Sequence, residues 1–95
     1  MNDKKIIRKF EKEFDYMNSK IIEFRTSAER LGGEARERFN HELDSLAERI
    51  DKIKVEFDQA KNSMDRKMGE DLRNKLQIGL DGVRRVFKMI HERFK

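Results

Sequence analysis

The chain has 95 residues, which is enough for one small domain; 44% of them are charged, 36% are apolar, and the formal net charge is +4. It contains no cysteine and no proline, which excludes disulfides, thiolate chemistry and proline kinks and so permits long helices. No apolar run is long enough to cross a bilayer, and the charged N-terminus lacks the pattern of a signal peptide.

The first element is predicted from apolar residues that recur at alternating steps of three and four. These residues are Ile7, Phe10, Phe14, Met17, Ile21, Phe24, Ala28 and Leu31. Such steps form the a/d seam of a heptad repeat and place all these side chains on one stripe of a helix, whereas a strand has a period of two. The sequence therefore predicts an amphipathic helix over about residues 3–31, with Asn2 or Asp3 suited to cap its start.

Two glycines, Gly32 and Gly33, follow this helix and predict a tight turn to an antiparallel neighbour. Two adjacent glycines cost roughly 2 kcal/mol in a helix interior, and glycine adopts the left-handed conformation that closes a helix. The alternative is one continuous helix with a flexible point. A second helix is predicted over about residues 34–62, and its seam consists of Ala35, Phe39, Leu43, Leu46, Ile50, Ile53, Phe57, Ala60 and Met64.

A second break is predicted at residues 62–65, where cap-forming residues replace seam residues. A third helix then follows over about residues 65–94, with a seam of Leu72, Leu76, Leu80, Val83, Phe87, Ile90 and Phe94. The alternative is a single helix that runs through this point and forms a long hairpin that dimerises as a coiled coil. Gly79 and Gly82 mark either a further turn or a close approach of two helices, and the unbroken seam spacing favours the close approach.

Together these segments predict an all-α fold, a single domain built as an up-down-up bundle of three long amphipathic helices. Residues 1–31 carry 8 basic and 6 acidic side chains, residues 32–63 carry 6 and 8, and residues 64–95 carry 9 and 5. A middle helix of opposite sign favours folding back against both neighbours. Because each exposed ion pair contributes little stability, we expect this charge pattern to set helix direction.

A basic patch is predicted near the end of the bundle where the first and third helices both end. Its members are Arg25, Arg30, Arg36, Arg38, Arg84, Arg85, Lys88 and Arg93. Such a patch would meet phosphates or an acidic protein, and the alternative is an ordinary solvated end whose charge is diluted by neighbouring glutamates. The small basic excess and the lack of an exposed aromatic platform argue against nucleic acid as the partner.

No group of residues in the sequence predicts catalysis or metal binding. Glu37 and His41 lie four residues apart on one helical face, but two ligands do not make a metal site. Gly32 and Gly33 lack the spacing and the trailing residues of a phosphate-binding loop. We therefore predict a protein that is not an enzyme and that has no cofactor, no metal and no small-molecule substrate.

Two functions remain for a chain of this kind. The first is a structural or protein-interaction role, in which the bundle associates with itself or with another protein through apolar seams and charge pattern. The second is reversible binding to anionic membrane surfaces through residues 83–95, where apolar residues form one face and basic residues line the rest. The same apolar face would serve the last helix of a bundle.

The order of these segments resembles a known group of proteins. The residues that carry the resemblance are Leu31-Gly32-Gly33-Glu34-Ala35, the charged heptad helix that follows, and Leu76-Gln77-Ile78-Gly79-Leu80-Asp81. They resemble small soluble bacterial coiled-coil proteins of largely unknown function, some of which are described as stress-induced. The resemblance implies a helical fold and a bacterial, cytoplasmic setting, and it implies no defined activity.

Overall fold

A computed structural model describes the backbone of residues 2–62 and 69–93, with side chains described from residue 4 onwards within those ranges. These residues form three helices, α1 (Asn2–Ala28), α2 (Gly33–Lys61) and α3 (Glu70–Arg93), and none of them lies in a strand. α2 packs against α1 and against α3, so the predicted all-α three-helix bundle is confirmed. The bundle is elongated, with extents of 50 × 20 × 18 Å.

Ion pairs between helices show the direction of each helix relative to α2. They join Arg25 to Asp44 at 2.8 Å, Lys61 to Glu11 at 3.2 Å, Lys75 to Glu56 at 3.2 Å, and Arg93 to Glu42 at 2.9 Å. In every case the later part of one helix pairs with the earlier part of its neighbour, so neighbouring helices are antiparallel and the order is up-down-up. α2 supplies the carboxylate in three of the four pairs, as its acidic balance predicts.

The core is a single cluster of apolar side chains at the predicted heptad positions. Its buried members are Phe10, Phe14, Met17, Ile21, Phe24, Ala28, Phe39, Leu43, Leu46, Ile50, Phe57, Leu76, Leu80, Val83, Phe87 and Ile90. Leu31, Ile53, Ala60 and Leu72 are partly buried and pack against this cluster. The prediction that Ala35 is buried is wrong, because this residue is exposed near the start of α2. Met64 and Phe94 lie outside the described residues.

The connection between α1 and α2 begins earlier than the seam spacing predicts. α1 ends at Ala28, and the N–H groups of Glu29, Arg30 and Leu31 donate to carbonyl oxygens three residues earlier, at 3.0–3.2 Å. Such bonds tighten the chain and satisfy carbonyl groups that a helix end leaves free. Gly33 has a φ of +53° and is the first residue of α2, so the left-handed glycine opens the second helix and does not close the first.

The connection between α2 and α3 excludes the single long helix and the long hairpin. α2 ends at Lys61, where the Asn62 N–H donates to the Asp58 carbonyl oxygen at 3.0 Å. α3 begins at Glu70, and the Arg73 N–H donates to the carbonyl oxygen of Gly69, which is not helical. The predicted helix start at residue 65 lies outside the described residues, and the prediction that the helix includes residue 69 is wrong.

Gly79 and Gly82 lie inside the continuous helix α3, so the less favoured alternative, a turn at this point, is wrong. A Cβ atom at Gly79 would lie 3.0 Å from Cδ1 and 3.3 Å from Cγ1 of Ile53 on α2. That distance is shorter than ordinary van der Waals contact. Gly79 therefore gives the Ile53 side chain the space that a larger residue would occupy, which confirms the close approach.

Candidate functional site

A groove lies between α1 and α3, the two helices that pack least closely against each other. Its volume is about 310 Å³, and we call it the basic groove. The residues that line it are Tyr16, Lys20, Phe24, Arg84, Phe87, Lys88 and His91. Phe24 and Phe87 form its floor, where their ring centroids lie 5.6 Å apart.

Helix periodicity places the polar side chains of the groove together. Tyr16 and Lys20 are one turn apart on α1, and Arg84, Lys88 and His91 follow at steps of four and three on α3, so each set occupies one face of its helix. α1 and α3 run in the same direction because both are antiparallel to α2. The two sets therefore face each other along the groove.

Tyr16 lies between two cations at the wall of the groove. The Arg84 guanidinium is 5.1 Å from the centre of the Tyr16 ring, and the Lys20 ammonium is 5.8 Å from it. Both distances fall within the range in which a cation is attracted to the face of an aromatic ring. Tyr16 is still 43% exposed, so these contacts orient a ring that solvent or a ligand reaches.

The carboxylates near the basic groove neutralise it only in part. Glu13 accepts a hydrogen bond from Arg84 at 3.4 Å, and Glu23 lies 3.4 Å from Lys20. The Glu13 side chain is only 13% exposed, and its Oε2 atom is buried without a hydrogen-bond donor among the described residues. Lys88 makes no ion pair with any described residue. Cations therefore outnumber accessible carboxylates at the groove surface.

The structure does not gather the predicted basic patch into one surface. Arg25, Arg38 and Arg93 are each bound to a carboxylate, on Asp44, Glu34 and Glu42 respectively. Arg30, Arg36 and Arg85 are exposed elsewhere on the surface, outside the basic groove. Arg84 and Lys88 lie together in the basic groove, and Arg38 and Arg93 line a separate groove with Glu42.

The sequence interpretation missed Tyr16, Lys20 and His91 as members of this surface. Two signals in the sequence point to them. Lys20 follows Tyr16 by one turn, and His91 continues the steps of Arg84 and Lys88. These signals become informative only once α1 and α3 are known to run side by side in the same direction.

The C-terminal apolar face predicted for a membrane-surface helix is used inside the bundle. Val83, Phe87 and Ile90 are buried, and Val86 is partly buried. None of the described helices is both long enough and apolar enough to cross a membrane.

No three histidine, cysteine, aspartate or glutamate side chains come together as a candidate metal site within residues 2–62 and 69–93. No protein-family model, no curated protein and no solved structure matches the chain. The resemblance to small bacterial coiled-coil proteins therefore stays a prediction.

Proposed function

We propose that this chain is a non-catalytic protein-interaction module that binds an acidic segment of another protein in the basic groove. The observation that carries the proposal is the exposed ring of Tyr16, which contacts Lys20 and Arg84 and lies beside Lys88, a lysine that makes no ion pair with a described residue. An aromatic ring flanked by cations suits a segment in which an apolar side chain is flanked by carboxylates, because each kind of group then meets its complement.

The burial of the carboxylates supports an anionic ligand. Glu13 lies behind Arg84 and is largely shielded, so an approaching ligand meets the guanidinium first. Glu13 thereby holds Arg84 in the groove wall without cancelling its charge at the surface. Glu23 is exposed at the rim and pairs with Lys20, so it competes with a ligand for that lysine alone.

A protein segment fits the groove better than a membrane surface does. Membrane binding through the C-terminal helix would require Val83, Phe87 and Ile90 to leave the core, since these side chains form its apolar face. The groove itself is a concave strip between two helices, which suits a narrow chain. Flotation with vesicles rich in anionic lipid separates the two functions, because we expect the protein to stay with the unbound fraction.

A titration with a designed acidic peptide tests the proposal. A peptide of about 15 residues that carries glutamates around a central phenylalanine would bind, and its affinity would fall by about tenfold or more between about 50 mM and 500 mM salt. A peptide with lysine in place of each glutamate is the control and should not bind. Equal binding of both peptides, or of neither, would contradict the proposal.

Two pairs of matched variants locate the site. Arg84→Gln with Lys88→Gln removes two positive charges from the groove, and Arg30→Gln with Arg36→Gln removes one from the connection between α1 and α2 and one from the start of α2. We expect about a tenfold loss of peptide affinity for the first pair and less than about a twofold change for the second. Equal losses would show that net charge alone attracts the peptide.

Removing Arg84 leaves the largely buried Glu13 carboxylate without its partner and could disturb the fold. A substitution at Lys88 alone therefore tests the site while the Arg84–Glu13 pair stays intact. Lys88→Glu changes a side chain that has no ion pair with a described residue, and Arg36→Glu is its control with the same change in net charge. Circular dichroism should give the same helix content for both variants. The weaker peptide binding should be confined to Lys88→Glu.

A further inference from the structure

The outer face of α3, on the side away from the core, carries a second heptad stripe, which we call the outer seam. Its residues follow one another at steps of three and four, and they are Lys75, Ile78, Gly82, Arg85, Met89 and Glu92. Ile78 is 71% exposed and Met89 is 60% exposed, and both are among the few large apolar side chains at the surface. Apolar positions at heptad spacing on an exposed face indicate a contact with another helix.

The charges and side-chain sizes along the outer seam complement themselves when the helix is reversed. An antiparallel copy of α3, related by a two-fold axis midway between residues 83 and 84, places Lys75 opposite Glu92, Ile78 opposite Met89, and Gly82 opposite Arg85. Each pair occurs twice because a two-fold contact uses the same surface on both chains. Lys75 would then lie between Glu92 of the second copy and Glu56 of its own chain, with which it forms an ion pair at 3.2 Å.

The pair at the axis is complementary in shape. Gly82 has no side chain, and the atom nearest to a Cβ built there is Nη2 of Arg49, at 3.5 Å. The notch at Gly82 is therefore bordered by the Arg49 guanidinium. Arg49 approaches Gly82 from α2, while Asp81, the residue before Gly82, is an exposed carboxylate that accepts a hydrogen bond from Gln77 at 3.0 Å. An incoming Arg85 guanidinium would bind Asp81, and the exposed Arg49 side chain, which carries the same charge as Arg85, would have to move away from Gly82.

We propose that two copies of this chain associate through their outer seams, with the two α3 helices antiparallel. A second copy is favoured as the partner because the order of charged, apolar and small residues along the outer seam is self-complementary. The contact leaves the basic groove open because the groove lies between α1 and α3. It does not rest on the proposed binding of an acidic segment, and either can fail alone.

The contact involves one helix from each chain, so the dimer is weak. Stable interfaces bury about 1,200–2,000 Å², which is more than one pair of helices of this length supplies. Sedimentation equilibrium on the whole chain should therefore show the mass rise from 11.5 kDa towards twice that value as the concentration approaches the order of 100 µM. A constant mass of 11.5 kDa up to the millimolar range would overturn the proposal.

Two single substitutions locate the contact. Ile78→Lys should leave the chain monomeric throughout this range, since it places a charge opposite Met89 of the second copy. Ile22→Lys changes a side chain that is 66% exposed on α1 and should leave the dimer unaffected. A dimer that survives Ile78→Lys, or one that Ile22→Lys abolishes, would place the contact elsewhere.

A charge exchange tests the pair at the axis. Asp81→Arg and Arg85→Asp should each abolish self-association, because each variant brings like charges together across the axis. A mixture of the two variants should form a one-to-one complex, since every arginine then faces an aspartate. A mixture that remains monomeric would rule out the proposed register.

Cysteine cross-linking tests the helix direction, since the chain has no cysteine of its own. A chain that carries both Ile78→Cys and Met89→Cys should oxidise to a covalent dimer with disulfides between residue 78 of one copy and residue 89 of the other. Peptide mapping distinguishes this product from links between identical positions. Predominant links between identical positions would show a parallel contact and overturn the antiparallel arrangement.

Discussion

The helices pack closely on both sides of α2 and less closely where α1 meets α3. Phe57 of α2 packs against the rings of Phe10 and Phe14 at 5.7 and 5.4 Å, and Ile53 of α2 lies over Gly79 of α3. Between α1 and α3 the helices stay further apart, and long polar side chains line the gap. The same heptad spacing thus produces both a closed seam and an open groove, because the size and polarity of the flanking residues set the distance between helices.

The largest effect is expected from a charge placed in the closed seam. Phe57→Asp should unfold the bundle, because Phe57 is buried against two rings and an unpaired buried carboxylate costs several kcal/mol out of the 5–15 kcal/mol that is usual for the stability of a domain. Circular dichroism and urea titration would measure the loss. Val55→Asp on the exposed face of α2 is the control, and an unchanged melting temperature for Phe57→Asp would contradict the seam.

A smaller effect is expected at the closest approach of α2 and α3. Gly79→Leu should lower the free energy of unfolding by about 1–3 kcal/mol, because its side chain must displace Ile53, which already lies at the limit of contact. Chemical denaturation would measure it. The double variant with Ile53→Ala should recover part of the loss, since it removes the atoms that a leucine at 79 would meet.

A gain in stability is expected at Gly82, three residues further along α3. Gly82→Ala should raise the free energy of unfolding by about 0.5–1 kcal/mol, because alanine favours the helix and its Cβ would meet only Arg49 at ordinary distance. The measurement belongs at micromolar concentration, so that self-association does not contribute. A loss of stability would show that the notch at Gly82 is closed within the single chain.

The smallest effect is expected from removing the negative charge of Glu13, whose carboxylate lies beside Arg84. Glu13→Gln should tighten the binding of the acidic peptide by about twofold to threefold, because it removes a negative charge next to Arg84 and keeps a hydrogen-bond acceptor. Isothermal titration calorimetry would measure the affinity. Glu29→Gln, on an exposed residue outside the groove, is the control and should leave the affinity unchanged.

The fold was largely predictable from the sequence because burial alone determines the heptad pattern. Phe14, Met17 and Leu43 are buried as their spacing requires. The end of α1 was not predictable in this way, since Leu31 keeps the seam spacing and still packs against the core although it lies beyond the helix. The spacing of apolar residues predicts which side chains are buried, but it does not predict whether the backbone at those residues is helical.

The basic groove was less predictable than the core. Lys20 and Arg84 are far apart in sequence, and they meet over Tyr16 only because of how α1 and α3 are rotated about their axes. The prediction of a basic patch assumed that basic residues near the same end of the bundle lie on one surface. Arg38 and Arg93 instead bind carboxylates on α2, and Arg84 contacts Glu13 in the first half of α1.

An odd number of antiparallel helices has a mechanical consequence. The first residue of α1 and the last residue of α3 lie at opposite ends of a body 50 Å long, so whatever is joined to these two ends is held apart by that length. Tension between the ends would pull along the seams and load all three helices together. The time for which the folded chain withstands such a force depends on its unfolding rate. The packing of Phe10 and Phe14 against Phe57 would therefore govern how long the bundle stays folded under tension.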